Sequence, residues 1–175
     1  LLLTALAAVP FAAHAGLHEG LAAYDKAQYA TALEQLTPLA EKGNAKAQYR
    51  LGKMFNLGQG LPPDKKEAAK WFHLAAQQGL AEAQGALGYL CLVGEGVSQN
   101  SDLALEWTRK AAEQGDATAQ FNLGMMHSEK FGIQKNPAES LKWLRKAADQ
   151  RHVQAMGALG TLYEEGQAGV KRNPA

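Results

Sequence analysis

The chain of 175 residues has one cysteine, Cys91, an aromatic share of 7% and a formal net charge of only +1. A single thiol excludes a disulfide-stapled scaffold, so the fold is held by packing alone. Acidic and basic residues interleave, and no basic run exceeds two or three residues. This argues against a nucleic-acid surface or an anionic membrane surface as the main purpose. No segment alternates apolar and polar residues as a strand does. His73 and His152 show no H-x-x-x-H or mixed Cys/His spacing, so neither a metal nor a cofactor is indicated.

The one apolar run, Leu1 to Val9, is well short of the roughly 20 residues that span a bilayer. It is followed by Pro10 and then by Ala13-His14-Ala15, the h-region and A-x-A pattern of a secretory signal over 1–15. Cleavage after Ala15 would release a mature chain beginning at Gly16, periplasmic or secreted and with no integral membrane span. No cysteine lies near that point, so a lipoprotein anchor is not expected. Neither an initiating Met nor a basic n-region precedes Leu1, and the expectation is a fragment that lacks its true start.

What the chain does have is a step of 36 residues, kept by Ala47, Ala83, Ala119 and Ala155, by Leu51, Leu87, Leu123 and Leu159, and by Trp71, Trp107 and Trp143. Gly52, Gly88, Gly124 and Gly160 keep it too, as do Gly43, Gly79 and Gly115. Such a register means stacked copies of one small unit, with function on a shared surface. The units run over 43–78, 79–114 and 115–150, with a partial fourth over 151–175. Each reads as two helices. In the first unit Asn44 to Leu57 places 47, 51, 54 and 55 on one face, and Gly58 ends it. Asp64 to Gln78 follows, with Ala68, Trp71, Phe72 and Ala75 on one face. Asn136-Pro137 reads as an N-cap followed by proline at the first helical position. The fold class is therefore all-α, an α/α solenoid of stacked antiparallel helix pairs, with eight or nine helices.

Glycine inside a helix costs about 1 kcal/mol relative to alanine. Close approach of a neighbouring helix is the expected compensation, with Ala75-Ala76, Ala111-Ala112 and Ala147-Ala148 as the small facing surfaces. The tryptophans are expected to fill the space between helices.

These residues carry a resemblance. Ala45-Lys46-Ala47-Gln48-Tyr49-Arg50-Leu51-Gly52, then Gly58-Gln59-Gly60-Leu61, then Asp64 to Ala68, Trp71 and Ala75 to Gly79, resemble the Sel1-like repeat. The pattern recurs at Ala81-Glu82-Ala83-Gln84 with Gly94-Glu95-Gly96-Val97, and at Ala117-Thr118-Ala119-Gln120 with Leu123-Gly124 and Trp143. The 36-residue step favours this repeat over the 34-residue tetratricopeptide one. The stretch 16–42 resembles a capping half-unit. Lys130 and Phe131-Gly132-Ile133 depart from the loop pattern, so the third inter-helix loop is expected to bend differently. The fourth unit carries an extra residue before Asn173-Pro174 and stops before its second helix, which leads to the expectation that the natural chain continues into a polar cap. Cysteine pairs that brace each repeat in some secreted relatives are missing.

The resemblance implies a protein-interaction scaffold, exported and tied to the cell envelope, whose first helices line a concave groove for a protein or peptide partner. Tyr49, Lys53 and Asn56 form a candidate stripe there, with Gly85, Tyr89 and Leu92, then Phe121, Met125 and Ser128, at equivalent positions. They vary between units while core positions stay fixed, as a surface tuned to an extended partner would, with Tyr89 and Phe121 as anchors. Packing against the next repeat is the competing reading. Catalytic readings are weaker. Cys91 and His127 occupy equivalent positions in adjacent units and resemble a thiol and its base, but Phe55 and Tyr163 at the same position point to packing. Gly58-Gln59-Gly60 and Gly94-Glu95-Gly96 follow helices rather than strands and are poor phosphate cradles. No enzyme activity is expected of these residues. The alternative is an enzyme, or an enzyme-associated subunit, acting on envelope polymers with its chemistry outside this sequence.

Overall fold

A computed structural model of the chain describes residues 10–128 and 133–164, with side chains over 16–128 and 133–163. Among the described residues there are nine α-helices and no strand. They are α1 (Pro10–Asp25), α2 (Tyr29–Glu41), α3 (Ala45–Leu57), α4 (Lys65–Gln77), α5 (Ala81–Val93), α6 (Ser101–Glu113), α7 (Ala117–Ser128), α8 (Pro137–Asp149) and α9 (Val153–Glu164). The chain forms two compact units, residues 1–75 and 76–175. In the first, α1 packs on α2 and α2 on α3; in the second, each of α5 to α8 packs on the helix that follows it. The stretch 16–42 differs from the expected half-unit, because α1 and α2 make a full helix pair there. α1 starts at Pro10 and runs through Ala15. The third inter-helix loop at 129–132 and the extra residue before Asn173 lie outside the described residues.

Local chemistry sets the helix ends. The Asn44, Asp116 and His152 side chains accept from the N–H groups of Ala47, Ala119 and Ala155 at 3.0, 2.6 and 3.3 Å. The Asp64, Asn100 and Asn136 side chains do the same for the second helix of each pair. Each cap satisfies one of the donors that a helix start leaves orphaned. Gly43, Gly79 and Gly115 turn the chain with φ of 91°, 86° and 97°, in the left-handed region where glycine has no Cβ to clash. Arg151 occupies the fourth equivalent position at φ 63°.

The pairs are linked by a buried glutamine. Gln48 is 4% exposed, Gln84 5% and Gln120 5%. Their Nε2 groups donate to the carbonyls of Ala40, Ala76 and Ala112 at 3.0, 3.1 and 3.1 Å. Those carbonyls lie in the last turns of α2, α4 and α6, and each also accepts from the N–H of Gly43, Gly79 or Gly115. In the second unit the amide is used at both ends, because Gln84 Oε1 accepts from Gln114 Nε2 at 2.7 Å and Gln120 Oε1 from Gln150 Nε2 at 2.8 Å.

The helical glycines are approached closely, though not by the alanine pairs. A Cβ on Gly52 would lie 2.7 Å from the Phe72 ring and 3.3 Å from the Ala68 carbonyl oxygen. On Gly88 it would lie 3.0 Å from the Thr108 backbone nitrogen, and on Gly124 2.7 Å from Leu144. The facing residue is always twenty positions onward, one turn before the expected alanines along the same helix. Gly160 meets nothing within 4 Å among the described residues. The tryptophans diverge as well. Trp143 is buried against Ala111, Ala112, Ala119 and Leu123, while Trp71 and Trp107 are half-buried.

Trp143→Ala should therefore cost about 3–5 kcal/mol in thermal or denaturant unfolding, and Trp107→Ala about half of that. Equal losses at the two positions would contradict this ranking. Gln120→Leu should cost about 1–3 kcal/mol, because it strips the Gln150 amide and the Ala112 carbonyl of a partner at once. Unfolding at the wild-type denaturant midpoint would refute the role of the link.

Candidate partner-binding surface

On a helix, residues at i, i+4, i+7 and i+11 share one face. In α3 the buried positions Ala47, Gln48, Leu51, Gly52 and Met54 hold one side. The other side carries Lys46 and Leu57, which are exposed, Leu57 at 57%, and Arg50 and Lys53, which are half-buried. The same positions in α5 are Glu82, Ala86, Tyr89 and Val93, where Tyr89 is 50% and Val93 40% exposed. In α7 they begin Thr118, Asn122 and Met125.

This face is rotated from the stripe the sequence suggested, and the two share only Lys53, Tyr89 and Met125. Tyr49 is half-buried, its ring centroid 5.8 Å from that of Phe72 on α4. Gly85 turns toward the next pair, since a Cβ there would sit 3.6 Å from that of Ala119. Phe121 stacks on His152 with centroids 5.0 Å apart, and with Met125 it packs against Leu144, Ala147 and Ala155. Leu92 is half-buried, and its carbonyl accepts from Gln99 Nε2 at 2.9 Å. Asn56 accepts from Lys65 Nζ at 2.9 Å, and Ser128 Oγ donates to the Met125 carbonyl. Sequence reasoning passed over Lys46, Arg50, Leu57, Glu82 and Val93. Their signal was the i, i+4, i+7, i+11 spacing itself, placed one residue away from the stripe chosen.

The face of α3 has its own electrostatics. The Arg50 guanidinium carbon lies 4.9 Å from the Tyr24 ring centre and 5.8 Å from that of Tyr49. Lys53 Nζ lies 5.4 and 5.9 Å from the same two rings. Tyr24 is fixed from below, donating its hydroxyl to Gln59 Oε1 at 2.9 Å, while Gln59 Nε2 donates to the Tyr29 hydroxyl at 2.9 Å.

The residues weighed for catalysis fall elsewhere. Cys91 is buried, and burial pushes its thiol above the ordinary value, the opposite of an activated nucleophile. His127 is 7% exposed, and neither ring nitrogen has a partner among the described residues. It lines a cavity of about 340 Å³ together with Asp102, Lys135 and Asn136. The Phe55, Cys91 and His127 carbonyls accept from the N–H groups of Asp64, Asn100 and Asn136 at 2.9, 2.8 and 2.9 Å. At this position the backbone closes the inter-helix loop whatever the side chain. Among the described residues no group of three or more His, Cys, Asp or Glu side chains could hold a metal ion. No described helix is long and apolar enough to cross a membrane.

Helix pairs stacked at a fixed step define an α-solenoid. Four consecutive matches to the Sel1 repeat, over 45–80, 81–116, 117–152 and 153–175, place this chain in the Sel1 repeat family. Each match begins at the first residue of α3, α5, α7 or α9. A crystal structure of a Sel1 repeat protein from Oxalobacter formigenes is similar at 35% identity and a TM-score of 0.83, covering 91% of this chain and 63% of that one. A protective antigen present in uropathogenic Escherichia coli strains, displaying an SLR fold, is similar at 36% identity and a TM-score of 0.82, covering 92% of this chain and 35% of that one. The sequence thus spans less than two thirds of both relatives. A Sel1 repeat protein from Klebsiella pneumoniae, 16% identical with a TM-score of 0.67 and covering 92% of this chain and 80% of that one, shares the fold. No curated protein sequence matches this chain.

A thiol-reactive reagent should leave Cys91 unlabelled in the folded protein and label it on denaturation. Its raised ionisation also fixes a sign. The unfolded thiol ionises from about pH 8.5 while the folded one keeps its proton, so the stability Cys91 contributes is complete below that pH and declines as pH rises above it. Cys91→Ala should flatten that decline in a pH series of denaturant melts, and an unchanged slope would count against it.

Proposed function

We propose that this chain is an exported, non-enzymatic scaffold that binds a protein or peptide segment along the solvent faces of its first helices. The observation that carries the reading is Tyr89, a half-exposed aromatic beside Val93 on a helix whose opposite side is buried core. Aromatic anchors of this kind concentrate binding energy at interfaces. Around it the frame is constant while the solvent-facing residues change from unit to unit. This supports recognition of one extended partner rather than of a repeating polymer. Within the earlier stripe, Lys53 and Tyr89 lie at solvent-facing positions, whereas Tyr49, Leu92, Phe121 and Met125 would act by holding neighbouring helices in place. Export is supported by the apolar run Leu1 to Val9 and the Ala13-His14-Ala15 pattern, and a periplasmic or extracellular site of action follows from it.

A photo-crosslinking amino acid at position 89 should capture a polypeptide in intact cells, while the same probe at Arg109, exposed on α6, should not. Equal capture at both positions, or none at either, would remove the support for a specific surface. A phosphatase reporter that is active only after export, fused to the chain, should lose activity when residues 1–15 are deleted.

A further inference from the structure

We propose that the solvent face of α3 is a docking surface for an acidic polypeptide segment, an inference that rests on the scaffold reading above and names the chemistry of one part of the partner. α3 carries Lys46, Arg50 and Lys53 at i, i+4 and i+7 and contains no acidic residue. That arrangement works against the helix. The three cations repel one another at helical spacing, and Lys46 sits in the first turn, where the helix dipole disfavours positive charge. The repeat does not require it, since the equivalent positions are Glu82, Ala86 and Tyr89 in α5 and Thr118, Asn122 and Met125 in α7.

Three lysines on other helices have carboxylate partners, Lys70 with Glu67 at 2.7 Å, Lys110 with Glu106 at 2.6 Å and Lys142 with Glu139 at 3.0 Å, while Lys146 Nζ lies 4.5 Å from the Trp143 ring centre. Lys46, Arg50 and Lys53 have none among the described residues. Arg50 and Lys53 are instead held against Tyr24 and Tyr49, and Tyr24 is itself fixed through Gln59 and Tyr29. The rings orient both cations while leaving their hydrogen-bond donors unused, so less side-chain freedom is lost when a carboxylate arrives. Leu57, 57% exposed, ends the stripe one turn beyond Lys53 and offers an apolar contact. The occupant that fits is a polypeptide stretch with carboxylates spaced along about 10 Å, the rise from position 46 to 53, followed by an apolar side chain. Three cations on one helix, in a chain of formal net charge +1, make a short footprint. A nucleic-acid strand is held by a longer basic track.

The test uses the full chain and a fluorescein-labelled peptide of alternating glutamate and leucine pairs, followed by fluorescence anisotropy. Arg50→Gln with Lys53→Gln should weaken binding about tenfold or more, and added salt should weaken wild-type binding in parallel. Lys42→Gln with Lys66→Gln removes the same charge from exposed positions and should change affinity by less than about twofold. Far-ultraviolet circular dichroism confirms that both double variants are folded. Equal losses in the two double variants would overturn the proposal, as would equal binding of a peptide with glutamine in place of glutamate. Tighter, Arg50- and Lys53-dependent binding of single-stranded DNA or phosphatidylglycerol vesicles would overturn it in favour of a different partner. Peptide binding that survives loss of Arg50 and Lys53 but fails on Tyr89→Ala would sink this inference and leave the scaffold reading standing. Arg50- and Lys53-dependent binding supports the inference, even where crosslinking at position 89 fails and the Tyr89-centred reading falls.

Discussion

A helix ends with carbonyls that have no partner within it, and in this fold the following helix is laid beside that end, where water cannot serve all of them. The side-chain amides of Gln48, Gln84 and Gln120 resolve the conflict, each reaching a carbonyl in the preceding helix that a glycine N–H also serves. A leucine of similar size would pack there but would leave the acceptor half satisfied. The amide also fixes direction, because its nitrogen must face the preceding helix and its oxygen faces the Gln114 or Gln150 amide. Close approach at Gly52, Gly88 and Gly124 is compatible with this geometry only because no Cβ stands between the paired helices.

Much of this was legible in the sequence. The step of identical residues identifies the helix pairs, their caps and their breakers, since each depends on local backbone chemistry that repeats with it. The facing surface of the helical glycines was not legible. Alanine pairs look like natural partners, yet the crossing of two helices brings Phe72, Thr108 and Leu144 over the glycines, and a crossing is a property of two helices together. Trp107 misled for a related reason. Its position repeats, but burial depends on what the neighbouring pair lays over it, and only Trp143 is covered.

The candidate surface was legible in part. Tyr89 and Lys53 could be placed on the solvent side of their helices from the pattern alone. Phe121 and Tyr49 could not be separated from them, because variation at a position arises equally from a partner and from neighbours of different shape. His152 and Phe72 are such neighbours. The alkaline face of α3 went unremarked because the whole chain is nearly neutral, and a global balance hides a local excess.

The glutamine link also bears on how such chains change length. Its donors and acceptors recur at constant offsets, so a chain cut after Leu80 and rejoined at Ala117 presents Gln120 to the Ala76 carbonyl in place of Gln84. Loss or duplication of one whole unit in the gene leaves every amide paired and every helix on its face, whereas an insertion of another length strands both. Chain length is thus a trait that single recombination events change in discrete steps.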